Sequence, residues 1–235
     1  MKKILSIMLI GSLVFAFSGC DKEKSKTSYD GIEVQEGLYF DEDGVVHVDT
    51  EKLDYTAGKN IVWSFDEETE TLSFEGKGEI SEIKNYAPYK SFAKKIVIGE
   101  GITSIVDSAF DGFSTVEEIT FAPSVEYIGE YAFRGCMIEE LNLPVRLSHV
   151  GKKAFSDCTL LYTVNIPKND TLSEITDGVF KNCAQLQIVS VPSNITYIAP
   201  NTFNNCPNVE IYGEKDSFAY DYAMTENLNF QSKSF

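Results

Sequence analysis

The chain of 235 residues contains five cysteines and two histidines, the side chains that most often bind metals or act as nucleophiles. Zinc sites use closely spaced pairs such as Cys-x-x-Cys, and no such pair occurs in this sequence. The histidines, His47 and His149, do not lie beside a motif typical of an activated nucleophile, and the sequence has no glycine-rich phosphate loop. The residue types therefore predict no catalytic residue, no metal and no cofactor.

Four of the cysteines, Cys136, Cys158, Cys183 and Cys206, are separated by 22, 25 and 23 residues. Spacing this regular places each thiol at the same position of a repeating unit, with the side chains parallel instead of aimed at one another, which disfavours disulfides. Phe113 occupies the equivalent position of the first unit, which indicates that the position requires apolar bulk. We therefore favour buried free thiols over disulfides or a metal site.

The cysteines belong to a longer repeat of roughly 23 residues. Each unit has a phenylalanine three residues before the cysteine position, an Ile or Val five residues before that phenylalanine, and an apolar-x-apolar pair that a proline follows in four units. The phenylalanines are Phe110, Phe133, Phe155, Phe180 and Phe203. Alternation that ends at a proline is typical of a short strand leaving its sheet. Because one unit cannot bury its own apolar face, the units must stack into a solenoid.

This pattern resembles the BspA-like leucine-rich repeats of bacterial surface proteins, whose unit reads approximately Ile-Gly-x-x-Ala-Phe-x-x-Cys-x-x-Leu-x-x-Val-x-Ile-Pro. The segment 150–167 matches closely, and the resemblance covers about residues 55–232. Compared with the usual repeat, the unit after Cys136 is one residue shorter, and the unit around Asn169 is about two residues longer. The resemblance implies a curved, right-handed solenoid, mostly β with short helical or irregular turns, a role in adhesion or recognition at the cell surface, and no shared catalytic residues.

The charge of the chain is unevenly distributed. Residues 30–82 contain sixteen Asp or Glu and three Lys, a net charge of −13 in a chain whose total is −16. Leu38-Tyr39-Phe40 and Val45 to Val48 flank a turn that ends in Gly44, and a second alternating pair of strands follows over 61–74, so two hairpins are expected. We predict a small β-rich N-terminal module or cap over 30–95, a leucine-rich-repeat solenoid of about five units over 96–213, and a closing segment over 214–235.

The N-terminus has the pattern of an export signal. Lys2 and Lys3 precede an apolar run, 4–17, that is too short to span a bilayer as a helix. Phe17-Ser18-Gly19-Cys20 resembles the bacterial lipobox, in which the cysteine is acylated and becomes the new N-terminus. We expect residues 1–19 to be a lipoprotein signal peptide, Cys20 to carry the lipid and 20–29 to be a flexible tether, which would place the protein at the bacterial cell surface. The alternative is an ordinary secretory signal.

Residues that flank the buried positions of a solenoid strand project toward solvent, and stacking places equivalent residues about 4.8 Å apart. Two polar stripes of this kind are the expected binding surface, because a regular array of short polar side chains can hydrogen-bond an extended polymer or a protein. The same side chains could instead serve only to keep an exposed sheet soluble. One stripe is Glu118, Glu140, Thr163, Ile188 and Asn208, and the other is Thr120, Asn142, Asn165, Ser190 and Glu210. All of these except Ile188 and Asn208 are the candidate ligand-binding residues. A second candidate surface is the aromatic stripe Tyr127, His149 and Tyr197, whose faces could stack on sugar rings.

Two functional interpretations remain open, and neither is an enzyme. The first is a monomeric, lipid-anchored surface protein whose solenoid binds another protein or serves in adhesion. The second is a glycan-binding accessory lipoprotein that holds polysaccharide near the membrane for a separate enzyme. Nucleic acid is not an expected partner, because a net charge of −16 repels phosphate backbones.

Overall fold

The computed structural model describes residues 54–235 continuously, and before them only five short strands. These strands are Leu5–Ile7, Ser28–Tyr29, Ile32–Glu33, Leu38–Phe40 and Val46–Val48. Leu38–Phe40 and Val46–Val48 pair as the antiparallel hairpin that the sequence predicts, Leu5–Ile7 pairs with Val46–Val48, and Ser28–Tyr29 pairs with Ile32–Glu33. Cys20 and the end of the predicted signal peptide lie outside the described residues. In the described part of the chain, no helix has the length and apolar character needed to cross a bilayer.

The chain winds into a solenoid of about seven turns, which confirms the predicted repeat fold. Successive turns contribute strands to one side of the solenoid, where they form two sheets. The N-terminal front sheet contains, in spatial order, Thr56–Gly58, Ile61–Asp66, Thr71–Gly76, Lys95–Ile98 and Glu118–Phe121. The C-terminal front sheet contains Glu140–Asn142, Thr163–Asn165, Ile188–Val191, Glu210–Gly213 and Asn229–Ser232. The turns pair in parallel, as expected when each strand is followed by a full circuit before the next.

A second side of the solenoid carries shorter parallel strands. One side sheet contains Gly78–Ile80, Ile102–Ile105, Tyr127–Ile128 and His149–Val150, and a second contains Glu174–Ile175 and Tyr197–Ile198. Apart from Gly78–Ile80, each of these strands ends at the Ile or Val that recurs five residues before the phenylalanine. These residues, Ile105, Ile128, Val150, Ile175 and Ile198, are all buried. Each two-residue strand thus sets an exposed or half-buried residue beside a buried one, as a half-buried strand requires.

The third side is a turn that contains the recurring phenylalanine. Its backbone also joins neighbouring turns, since the Phe110 amide donates to the Ala132 carbonyl at 2.7 Å and the Phe133 amide to the Ala154 carbonyl at 2.8 Å. Two residues after each phenylalanine the backbone has positive φ, and the residues found there are Gly112, Gly135, Asp157, Asn182 and Asn205. Gly, Asn and Asp are the residues that adopt this conformation at least cost, so the turn explains their recurrence.

The phenylalanines stack along the solenoid axis and form its core. Consecutive rings lie 5.1, 5.4, 6.2 and 5.8 Å apart between centroids, and their planes are within 19° of parallel. Phe110, Phe133, Phe155 and Phe180 are 0% exposed, and Phe203 at the C-terminal end is 7% exposed. Offset stacks of this kind add to the free energy that apolar burial already supplies. We call this column of five rings the phenylalanine spine.

The four repeat cysteines run beside the phenylalanine spine as free, buried thiols, as predicted. The structure corrects one part of that prediction, because the position does more than supply apolar bulk. Each thiol donates a hydrogen bond to the carbonyl of the phenylalanine in the preceding turn, with Sγ to oxygen distances of 4.0, 3.4, 3.3 and 3.1 Å for Cys136, Cys158, Cys183 and Cys206. The thiols therefore give these carbonyls a donor from the next turn, in addition to the amide hydrogen bond that the carbonyls of Phe110, Phe133 and Phe180 accept within their own turn.

The N-terminal end of the spine is covered by residues of the predicted N-terminal module or cap. Strand Thr71–Gly76 pairs antiparallel with Ile61–Asp66 on one edge and parallel with Lys95–Ile98 on the other, so the sheet continues across the predicted boundary near residue 95. Two 3-10 helices, Ile83–Asn85 and Ala87–Ser91, follow. The rings of Phe74 and Tyr86 lie 5.3 and 5.4 Å from that of Phe110. The hairpin of Ile61–Asp66 and Thr71–Gly76, which the sequence predicts over 61–74, therefore caps the solenoid.

The C-terminal end is closed by the α-helix Phe218–Thr225 and the strand Asn229–Ser232. Ser217 caps the helix by accepting from the Tyr220 amide. The ring of Tyr222 meets that of Phe203 edge-on at 6.1 Å, which ends the spine. The strand pairs in parallel with Glu210–Gly213, as a further turn would.

Candidate functional site

The predicted polar stripes lie on the front sheets, but they do not form one continuous ladder. Glu118 and Thr120 belong to the N-terminal front sheet, whereas Glu140 and Asn142 begin the C-terminal front sheet. The strands Glu118–Phe121 and Glu140–Asn142 are not paired in the part of the chain that the structure describes. The structure therefore brings together only the residues from Glu140 onward as neighbours in register.

Within the C-terminal front sheet, two rows of side chains are in register. The first row is Glu140, Thr163, Ile188 and Glu210, and the second is Asn142, Asn165, Ser190 and Tyr212. This corrects the last unit of the repeat as read from the sequence, which placed Glu210 beside Ser190 and Asn208 beside Ile188. Ile211, not Val209, pairs with Val189, so Asn208 lies outside the rows and Tyr212 takes the place assigned to Glu210.

A second correction concerns Ser190, which was expected to face solvent. Ser190 is only 3% exposed, because the C-terminal segment covers it. The Lys233 ammonium donates to Ser190 Oγ at 2.9 Å, and the Lys233 amide donates to the Gly213 carbonyl at 2.7 Å. The accessible part of the two rows therefore lies mainly at Glu140, Asn142, Thr163 and Asn165.

The accessible polar side chains are held in place by hydrogen bonds to one another. Asn165 Nδ2 donates to Asn142 Oδ1 at 2.8 Å, and Asn142 Nδ2 donates to Glu140 Oε1 at 2.9 Å. A chain of this kind orients each amide and leaves the Glu140 carboxylate at its end as an acceptor for a ligand donor.

Glu210 is ordered at the other end of the same face. Its carboxylate accepts from Gln231 Nε2 at 2.9 Å and from the Tyr212 hydroxyl at 2.7 Å. These two hydrogen bonds, the one from Gln231 first, lower the pKa of Glu210, because both stabilise the charged form. The face therefore presents a fixed negative charge beside a tyrosine ring.

The aromatic stripe is divided in the same way as the polar one. The rings of Tyr127 and His149 are stacked, with centroids 4.7 Å apart and planes 13° from parallel, so each covers one face of the other. Tyr197 lies in the second side sheet, where Glu174 is its neighbour, and its ring is 6.3 Å from that of Phe218. Tyr127 borders a cavity of about 420 Å³, which Glu79, Ser104 and Asp107 also line.

Sequence reasoning missed Tyr212 and the interruption between the front sheets. The alternating apolar residues Val209 and Ile211 are both buried, so the pattern alone cannot choose which one continues the ladder. The shorter unit after Cys136 was a visible signal for the interruption, because the two unpaired strands are the ones on either side of it.

The described residues contain no group of three or more His, Cys, Asp or Glu side chains placed to hold a metal ion. What the front face offers is hydrogen-bond donors and acceptors, carboxylates and a few aromatic rings. Chemically, this arrangement suits recognition of a polar or cationic surface.

Comparison with known proteins places these features in a wider group. A family model described as a BspA type leucine rich repeat region matches residues 81–210 in six copies, one more than the sequence pattern predicts, and so covers more than half of the chain. No curated protein matches the chain.

Two solved structures have a similar fold. A leucine rich cell surface protein from Faecalibacterium prausnitzii is 21% identical, with a TM-score of 0.54 over 72% of this chain and 41% of its own. The pneumococcal vaccine antigen PcpA is 19% identical, with a TM-score of 0.55 over 85% of this chain and 48% of its own. The chain thus spans less than half the length of either protein.

Proposed function

Because the chain belongs to the BspA-type leucine-rich-repeat family, we propose that it is a bacterial cell-surface protein that recognises or adheres to another protein through the front face of its solenoid. Proteins with this repeat and fold are typically binding proteins and not enzymes, and we propose the same for this chain. The similar protein from Faecalibacterium prausnitzii is described as a leucine rich cell surface protein, which supports the location.

The observation that carries the proposal is the ordered polar network on the C-terminal front sheet. The chain of hydrogen bonds from Asn165 through Asn142 to Glu140 fixes exposed side chains without burying them. Side chains that are already ordered lose little entropy on binding, which favours recognition of a partner surface.

The proposal includes attachment to the membrane through a lipid on Cys20. Support comes from the sequence alone, because the short apolar run and the lipobox-like Phe17-Ser18-Gly19-Cys20 precede a Lys-rich tether. Metabolic labelling with palmitate should mark the wild-type protein, and Cys20→Ala should abolish the label and release the protein from membranes or block its processing. Unlabelled, soluble wild-type protein would contradict the anchor but leave the binding proposal standing.

A glycan ligand is the second candidate, and one observation favours it. The Tyr127 ring is 38% exposed and forms a wall of the cavity that Ser104 and Asp107 also line, a combination of an aromatic face and polar groups that suits a sugar ring. The partner in that case would be a polysaccharide held for a separate enzyme.

One experiment separates the two candidates. The purified mature protein is applied in parallel to a glycan array and to a pull-down from host extracellular matrix and bacterial surface proteins. We expect specific protein capture and no glycan signal. A glycan signal that Tyr127→Ala removes would favour the second candidate, and the absence of specific binding in both assays would contradict the proposed function.

A further inference from the structure

The interruption between the two front sheets opens the strand edges on either side. At the other steps of the solenoid, the carbonyl that precedes a strand accepts hydrogen bonds from the next turn. The Lys94 carbonyl accepts from the Glu117 and Glu118 amides at 2.8 and 3.2 Å. The Glu139 carbonyl likewise accepts from the Tyr162 and Thr163 amides at 2.8 and 3.1 Å.

The equivalent bonds from the Glu139 and Glu140 amides to the Glu117 carbonyl are not made in the described structure. The turns are joined there by a single bond from the Met137 amide to the Val116 carbonyl, at 2.8 Å. Backbone donors and an acceptor are therefore left at the interruption, where a partner chain could complete them.

A cleft of about 810 Å³ lies at this interruption, and we call it the inter-sheet cleft. Met137 and Leu160 supply its apolar surface, and Ser114 and Thr115 lie beside them. Four carboxylates, Glu117, Glu118, Glu139 and Glu140, also line it. The inter-sheet cleft thus combines four acidic side chains with the open edges of two strands.

The positive charges near the cleft do not balance these carboxylates. Lys94 is the one cationic side chain in the lining, and its ammonium is 2.7 Å from Glu70 outside the cleft. Lys95 pairs with Glu118 at 2.6 Å. Among the described residues, Glu117 and Glu139 form no ion pair. The inter-sheet cleft therefore carries a net negative charge that a ligand could neutralise.

We propose that the inter-sheet cleft is the docking site for an extended basic segment of a partner protein, an inference that rests on the proposed function and names the class of partner. The methylene stems of Lys or Arg side chains lie on Met137 and Leu160, and their charged ends reach Glu117 and Glu139. The backbone of the segment pairs with the open strand edges, as in β-strand addition. The net charge of −16 attracts such a partner from a distance.

The test uses the full mature protein and a fluorescein-labelled peptide, Ala-Lys-Val-Arg-Val-Lys-Ala-Gly, with a control peptide in which Glu replaces each Lys and Arg. Anisotropy is measured at low and at physiological salt. We expect the basic peptide to bind, its affinity to fall as salt is added, and the acidic peptide not to bind. The double variant Glu117→Gln with Glu139→Gln should weaken binding about fivefold to tenfold, because it neutralises two of the cleft carboxylates that form no ion pair among the described residues.

The matched control is Glu174→Gln with Glu226→Gln, which makes the same change in net charge at exposed positions away from the cleft. It should change the affinity less than about twofold. Leu160→Arg, which places a cation in the cleft itself, should abolish peptide binding, and thermal unfolding checks that each variant is folded. If the two double glutamine variants lose the same amount of peptide affinity, the peptide is attracted by net charge alone, and the proposed docking site is wrong. A natural protein ligand that binds normally to the Glu117→Gln, Glu139→Gln variant would also overturn it, while leaving the proposed function intact.

Discussion

The phenylalanine spine and the C-terminal front sheet are built from the same repeat, yet they differ in how strictly they keep it. In the spine, five successive turns each place a phenylalanine ring within 19° of parallel to its neighbour. On the front sheet, a single row passes from Glu140 through Thr163 and Ile188 to Glu210, so charge, polarity and size all change from turn to turn.

The difference has a physical cause. A buried position has one shape to fill, and neighbouring turns impose the same shape, so the residue repeats. An exposed position has no such constraint, and its residue can be chosen for a ligand. Regularity in this sequence therefore indicates the fold, and the exposed positions that depart from it are those where we propose that recognition occurs.

The largest expected effect is on the spine. Phe155→Ala removes a fully buried ring that stacks on Phe133 and Phe180, and it should lower the free energy of unfolding by about 3–5 kcal/mol. Tyr162→Ala, which truncates an aromatic ring that is 41% exposed at the edge of the front sheet, should cost about 1 kcal/mol or less. Urea unfolding of both variants measures the contrast. Similar losses would mean that the front sheet is as strictly packed as the spine.

The second prediction concerns the thiols beside the spine. Cys158→Ser should cost roughly 1–3 kcal/mol, because a shorter hydroxyl replaces a thiol that fills its site and donates to the Phe133 carbonyl at 3.4 Å. Cys158→Ala lacks the donor altogether and should cost more than the serine variant if the hydrogen bond matters. If alanine is tolerated better than serine, apolar bulk alone decides this position, as the repeat pattern by itself predicts.

The third prediction is a pH dependence that belongs to the spine region. Burial raises the pKa of Cys158 to about 12 and that of Cys206 to about 11, above the ordinary value of 9.0. The unfolded chain therefore loses these thiol protons at lower pH than the folded chain, and the free energy of unfolding should fall as the pH rises from about 9 toward 11.

Urea unfolding at several pH values between about 7 and 10.5 measures this dependence. Cys158→Ala and Cys206→Ala in one chain should flatten the fall, and a pH profile that the double variant leaves unchanged would assign the effect to other groups. The same burial should make the folded protein react slowly with a thiol reagent, whereas the denatured mature protein, with its lipidated cysteine blocked, should titrate four thiols without reductant.

How far the sequence predicts the structure follows the same division between buried and exposed positions. The Ala-Phe pairs and the cysteine ladder were predictable because each turn buries them in the same way. The register of the strand Glu210–Gly213 was not, since Val209 and Ile211 are both buried and only the backbone pairing with Val189 decides between them. The burial of Ser190 depends on Lys233, which is 43 residues away in the chain, and no local pattern encodes that contact.

The interruption between the front sheets was only partly predictable. The short unit after Cys136 was visible in the sequence. However, a missing residue either shortens a turn or interrupts the pairing of two strands, and the spacing alone does not show which of these occurs. For a similar reason, it was not predictable how the module or cap over 30–95 joins the solenoid. The acidic side chains of residues 54–82 lie on the outside, whereas Leu72 and Phe74 pair in register with Ile96 and Ile98.

The smallest expected effect on stability is on the front face, where the effect on binding should be large. Asn142→Arg with Asn165→Arg removes the 2.8 Å hydrogen bond between two exposed or half-exposed amides and places two long cations in the accessible part of the rows. The free energy of unfolding should change by about 0.5 kcal/mol or less per site, while binding of the protein partner should weaken by about tenfold or more, because the cations cover the polar surface that the partner contacts.

The matched control for the Asn142→Arg, Asn165→Arg variant is Asn60→Arg with Asn204→Arg, which adds the same charge at exposed positions off the C-terminal front sheet. The competing site is the acidic segment 30–82, with a net charge of −13, of which residues 30–53 contain eight acidic residues and one Lys. Asp41→Asn, Glu42→Gln and Asp43→Asn in one chain test that segment. If this triple variant loses the partner while the Asn142→Arg, Asn165→Arg variant retains it, the rows of the front sheet serve the solubility of an exposed sheet, and recognition lies in the segment that does not repeat.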